Sequence, residues 1–276
     1  MDTDITRKIQ LVEFEIGKEV KRICEKHNIK YFLDGGSLLG AIRHNGFIPW
    51  DDDMDFGMVR GEFEKFITVA KDELKEGFFL QTWETDPTYP FEFAKIRKEG
   101  TLLLEASYSK DSIHNEIWVD IFPYDVYPNG AINCMIHKYK VMKYKKWLLM
   151  KHGFKAWNNH DSFLEKLLVR IKYTPAFFFS RFFSVSEIHK KMQHWLILPD
   201  NDKAVFLHDG TGPFPYGKAK VSKSCFNSYE DAIFENESFS VPSGYKTVLT
   251  ELYGDYMKLP PENKRVSGHT IVEYKV

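Results

Sequence analysis

Between Trp50 and Met58 the chain reads WDDDMDFGM, and this pattern leaves the backbone little choice. Side chains on a strand alternate faces, so Asp51, Asp53 and Asp55 point one way while Asp52 and Met54 point the other. Three carboxylates on one face repel, and such a row is unfavourable unless a cation sits among the oxygens. Hard divalent cations such as Mg2+ or Mn2+ take carboxylate and phosphate oxygens as ligands. The flanking Ile48, Trp50, Phe56 and Met58 favour a half-buried strand over a solvated acidic loop. Just upstream, Gly35-Gly36-Ser37 joins a short strand, YFLD, to a short helix, SLLGAIRH, for which Ser37 is the expected cap and Asn45-Gly46 the stop. Glycines at such a turn let backbone N–H groups approach a phosphate with no Cβ in the way. Together these features read as a metal-dependent phosphate site, and their natural partner is a nucleotide diphosphate.

The rest of the chain supplies a scaffold. Ile5, Ile9, Val12, Ile16, Val20 and Ile23 recur at steps of three and four, which predicts an amphipathic helix from Ile5 to His27. A second is expected over Gly61 to Leu74. FFLQTW, EFAKIRK and TLLLE alternate like strands, the last two joined at Glu99-Gly100 as an expected hairpin. EIWVDIFPYD adds a strand in which Asp120 lies amid apolar residues and therefore needs a partner. After Pro128 long helices are expected near Ala131 to Met150, Phe163 to Ile171 and Glu187 to Leu198, with GYKTVLTELYG helical again. The expectation is a single α/β domain, with the acidic site in a core of about residues 1–128 and mainly helical additions and a C-terminal motif beyond.

The chain has 276 residues, 43% hydrophobic and 28% charged, with a formal net charge of -1. That balance gives no global field to attract nucleic acid. The opening MDTDITRK has no apolar segment like that of a signal peptide. PAFFFSRFF is far shorter than the roughly 20 residues a membrane span needs. Cys24, Cys134 and Cys225 are scattered and odd in number, which fits a reducing compartment and a cytoplasmic location. Lysines clustered around residues 137 to 151, including Lys143, Lys145 and Lys146, followed by FFFSRFF, suggest peripheral contact with an anionic membrane at its inner face.

Asp51, Asp53, Asp55 and Glu62 also fall at positions 1, 3, 5 and 12 of an EF-hand loop, but Phe56 stands where the sharp turn needs glycine. Arg43, Lys95 and Arg97 are the cations nearest the acidic row in sequence and candidates for phosphate oxygens. Trp50, Trp83 and Trp118 are candidates for contact with a base or a quaternary ammonium. The ten histidines show no metal-ligand or nucleophile spacing.

GGSLLGAIRHNGFIPWDDDMDFGM resembles the signature of the LicD family of phosphotransferases, within the nucleotidyltransferase-fold superfamily, and is similar to fukutin-related proteins. The resemblance extends to WVDIFPYD and to LYGDYMKLPPENKR. It implies a nucleotidyltransferase-like mixed sheet with helical additions. It also implies transfer of phosphocholine from CDP-choline to a hydroxyl of a cell-surface glycan precursor, lipid-linked or free, of the lipopolysaccharide, teichoic-acid or capsule kind. Related members use CDP-ribitol or CDP-glycerol. The superfamily pattern maps onto Gly36-Ser37, onto Asp53 with Asp55, and onto Asp120 as the third carboxylate, with Asp51 beside them. The cysteine-bound zinc of fukutin-related proteins has no matching cysteines here. The alternatives are nucleotidyl transfer and a non-enzymatic calcium-binding or scaffolding module.

Overall fold

The computed structural model describes residues 3–105, 114–154, 162–212, 215–268 and 271–276. Helix α1 (Thr3–Lys26) buries Ile9, Ile16, Val20 and Ile23 completely, as their spacing requires. It is followed by β1 (Phe32–Leu33), α2 (Gly35–His44), β2 (Asp55–Val59) and α3 (Arg60–Glu73), whose buried Phe63, Phe66 and Ala70 form the expected face. Then come β3 (Phe78–Gln81), β4 (Ala94–Lys98), β5 (Leu102–Glu105) and the nine-residue β6 (Trp118–Val126). Helices α4 (Ala131–Lys151), α5 (Phe163–Ser180) and α6 (Val185–Leu196) pack on one another around Val141, Leu148, Ile188 and Leu196. The chain then returns to strands with β7 (Phe206–Asp209), β8 (Lys220–Ser222), β9 (Tyr229–Phe234) and β10 (Glu237–Pro242), and ends in α7 (Tyr245–Tyr253) and β11 (Ile271–Lys275).

The result is an α/β fold on a mixed seven-stranded sheet of order β1-β2-β6-β4-β3, with β7 on β6 and β8 on β7. Strands β2 and β6 are parallel, in a register that sets Asp55 opposite Asp120. The long β6 uses one end to pair with β4 and the other to pair with β7, so residues beyond 200 complete the central sheet and do more than decorate it.

Several expectations are corrected. The acidic row is only partly strand: the ladder begins with Asp120 N–H donating to Met54 O, and residues 51–54 are extended chain beyond it because β1 is only two residues long. The burial alternation survives all the same, with Asp52 and Met54 inside and Asp51, Asp53 and Asp55 partly open. The hairpin at Glu99-Gly100 does not form. Both edges of β4 are taken, by β3 and β6, and β5 pairs with β11 instead. Helix α6 starts two residues before Glu187, which closes a capping box with Ser184. In the lysine cluster, Lys145 turns inward and its Nζ donates to the carbonyls of Thr211 and Gly212 at 3.0 and 3.3 Å.

At Gly57, buried in β2, an added Cβ would lie 2.2 Å from the Phe32 ring. Gly57→Ala is therefore expected to lower unfolding free energy by about 1–3 kcal/mol in urea denaturation. An unchanged midpoint would show that Phe32 can swing aside without cost.

Candidate active site

The site is built around the start of α2. Asp34, not Ser37, caps that helix: it is extended (φ -117°, ψ 166°), and its Oδ1 accepts the Gly35 N–H and the Tyr124 hydroxyl, each at 2.8 Å. Ser37 sits one turn in and is buried, and its Oγ accepts the Asp55 N–H at 2.9 Å, tying α2 to the head of β2. Gly35 has φ +50°, which a side chain rarely adopts. A Cβ on Gly36 would meet Asp51 Oδ2 at 2.4 Å, and one on Gly35 would meet Asp55 Oδ2 at 3.2 Å. The two glycines thus let carboxylates lie against the positive end of the helix.

A cleft of about 600 Å³ opens over this turn. One wall is Gly35, Gly36 and Arg43 of α2 with Trp50, Asp51, Asp53 and Asp55; the facing wall is Tyr253, Asp255, Tyr256 and Lys258 with the Leu259-Pro260-Pro261 turn. Arg43 joins the walls, its Nη1 donating to Tyr256 O at 2.7 Å. Asp120 stands beside Asp55 on the neighbouring strand. The partner its apolar setting demanded is Lys95, with Nζ 2.7 Å from Oδ1, while Trp118 Nε1 donates to Oδ2 at 3.2 Å. The Lys95 ammonium also lies 4.1 Å from the centre of the Trp118 ring.

Not every candidate is gathered here. Arg97 is buried away from the cleft, donating to Gln81 Oε1 and Glu116 O at 2.6 Å each. Trp83 stacks on His189 at 4.7 Å beside a second, smaller cleft, so Trp50, Trp83 and Trp118 do not converge. Glu62 accepts the Lys30 N–H at 3.1 Å from α3, and Asp55 is fixed in a ladder. That geometry excludes an EF-hand. Sequence reasoning missed Asp34, Glu13, Tyr253, Asp255 and Lys258. Asp34 was legible as a cap before glycine, and Glu13 as an acid on the buried stripe of α1, four residues after Ile9 and three before Ile16.

The electrostatics are strongly one-sided. Burial, then Asp53, Asp120, Asp34 and Asp51, push the Asp55 carboxyl well above its ordinary range. Glu13, 1% exposed, is pushed up in the same way by burial, then by Asp53, Asp52, Asp51 and Asp120. Its Oε2 has no hydrogen-bond partner among the described residues. Buried oxygens that repel one another and lack donors fit a hard divalent cation. Among the described residues no three such side chains are arranged to hold an ion by themselves. Mg2+ in general takes one or two protein carboxylates and completes its shell with substrate phosphates and water.

The model of the LicD/FKTN/FKRP nucleotidyltransferase domain matches residues 28–163, which include the acidic row and both paired strands. The lipopolysaccharide cholinephosphotransferase LicD of Haemophilus influenzae is 33% identical over 271 residues, covering 95% of each chain. The chain belongs to the LicD family. The ribitol 5-phosphate transferase FKRP of Homo sapiens is 48% identical over 44 residues, 16% of this chain and 9% of that protein. An uncharacterised Rickettsia typhi protein is 44% identical over 55 residues, 20% of this chain and 18% of its own.

Burial raises the Asp34 carboxyl from 3.8 to about 7, with Asp209 adding to it and the Tyr124 and Gly35 hydrogen bonds opposing. Between those values the folded protein keeps a proton that the unfolded chain has released, so this group lowers stability as pH rises. Asp34→Asn preserves both acceptor contacts, and its denaturation midpoint is expected to change less than that of wild type between pH 3.8 and about 7. Superimposable profiles would assign the titration elsewhere.

Proposed function

We propose that this family member is a metal-dependent phosphotransferase that moves phosphocholine from CDP-choline to a hydroxyl of a cell-surface glycan precursor. What carries the reading is one arrangement: the carboxylates Asp51, Asp53 and Asp55 and the start of α2 face the same cleft, in a chain related along its length to a named cholinephosphotransferase. Trp50, Tyr253 and Tyr256 line that cleft together and supply aromatic faces that suit a quaternary ammonium. Three free cysteines, two of them buried, favour a reducing cytoplasm as the place of action.

In the proposed reaction the acceptor oxygen bonds to the phosphorus that bears choline. The bond from that phosphorus to the bridging oxygen breaks, and CMP departs with the electron pair. Asp53 and Asp55, supported by Asp51, would hold Mg2+ or Mn2+, and the ion would supply charge neutralisation for the diphosphate and the leaving CMP. Backbone N–H groups of Gly35 and Gly36 and the Arg43 guanidinium take phosphate oxygens. Asp120, steadied by Lys95 and Trp118, orients the acceptor hydroxyl and receives its proton. The local match to a ribitol 5-phosphate transferase favours CDP-ribitol as the second donor to test, with CDP-glycerol after it.

The test is CMP release from CDP-choline, CDP-ribitol and CDP-glycerol, with and without Mg2+ and with Mn2+. Metal-dependent CMP release from CDP-choline is expected, with Asp53→Ala and Asp55→Ala each losing at least about a hundredfold in rate and keeping the wild-type circular dichroism. Release of pyrophosphate from a nucleoside triphosphate in place of CMP would replace phosphotransfer with nucleotidyl transfer. Full turnover in either variant would remove the metal assignment.

A further inference from the structure

Helix α5 turns very little of itself toward the protein. Ala176 and Ser180 are its buried residues, with Tyr173 partly covered against α4. On the opposite side Leu164, Leu168, Ile171 and Phe178 are exposed by 66%, 66%, 59% and 56%, and Phe182, just beyond the helix, by 67%. Their spacing of four, three, seven and four places them on one face. Single exposed apolar residues are ordinary, but a continuous stripe of this length marks a surface that something covers.

We propose that this face of α5 lies in the plane of an anionic phospholipid bilayer, with its apolar side chains at the level of the acyl chains. Charge selects the occupant. From residue 163 to residue 182 the segment carries Lys166, Arg170, Lys172 and Arg181 against a single acid, Glu165. Arg170, Lys172 and Arg181 are exposed, and the Arg181 guanidinium lies 4.8 Å from the Phe177 ring centre, a cation held beside the apolar stripe. A second copy of the chain docked through the same face would bring two such cationic segments together, which like-charge repulsion disfavours. An anionic leaflet answers both features at once, since it attracts each cation held near its surface. The helix rests on the bilayer and does not cross it, since no helix among the described residues is long and apolar enough to span one. No described residue of α5 lines either cleft, so this inference stands apart from the chemistry proposed above.

The test is co-sedimentation of the full chain with vesicles of phosphatidylcholine, with and without phosphatidylglycerol, beside analytical ultracentrifugation of the protein alone. Two double variants are compared, Leu168→Glu with Phe178→Glu and Arg170→Glu with Lys172→Glu. Wild type is expected to bind the phosphatidylglycerol vesicles at least about tenfold more tightly than neutral ones, more weakly in high salt. Both variants are expected to lose that preference while keeping the wild-type melting temperature and CMP release. Wild type that stays in the supernatant, or variants that bind as well as it does, would overturn the proposal. A concentration-dependent dimer that Leu168→Glu with Phe178→Glu abolishes, with no vesicle binding, would assign the face to self-association instead.

Discussion

Like charges held close together set the terms for everything around the site. The parallel pairing of β2 with β6 puts Asp55 directly beside Asp120, and the extended chain before β2 adds Asp53 and Asp51 on the same side. Neighbouring strands lie about 4.8 Å apart, so the two carboxyl groups are held close, and the Lys95 ammonium 2.7 Å from Asp120 offsets only part of their mutual repulsion. The opposite face of the same segment supplies the compensation. Met54, Phe56 and Met58 are fully buried there, each contributing about 1.5–3 kcal/mol. Room for Met54 comes from Gly17 of α1, where an added Cβ would lie 2.7 Å from the methionine sulfur. The core therefore holds in place a row that electrostatics alone would disperse. The residual strain shows in the carboxyls of Asp55 and Glu13, which burial and the neighbouring aspartates push well above the ordinary range.

What was legible in the sequence is what depends on local order. The apolar steps of α1 and α3 located those helices to within a few residues, and the acid inside the apolar run of β6 announced that Asp120 needed a partner. The alternation of burial from Asp51 to Asp55 was also readable, because side-chain direction follows backbone extension even where no ladder forms. The illegible parts depend on distant residues. Whether β4 pairs forward with β5 or sideways with β6 is decided by a strand that begins twenty residues later. Arg97 looked equivalent to Lys95 by spacing, yet Gln81 on the neighbouring β3 binds its guanidinium and keeps it from the cleft. Lys145 was indistinguishable by spacing from the other lysines of its cluster, and only the Asp209–Gly212 turn, sixty-odd residues away, supplies the carbonyls that draw it inward.

The cleft also shows why a short, specific signature identifies a family more readily than it identifies a substrate. The glycine turn, the acidic row and Asp120 all fall within residues 28–163, the span of the family domain. That domain is shared by relatives named for choline phosphate and for ribitol phosphate transfer. A feature common to both cannot by itself choose between a quaternary ammonium and a polyol. The opposing wall, from Tyr253 to Pro261, lies outside that span and reaches the site only because α7 packs behind α2 and Arg43 holds the Tyr256 carbonyl. Its side chains are two phenols, an aspartate, a lysine, a leucine and two prolines, and they line the cleft opposite the acidic row. Under the proposed function, discrimination between transferred groups is therefore sought first on this wall and at Trp50 across from it, where a change of side chain alters the pocket without touching the acidic row or the start of α2.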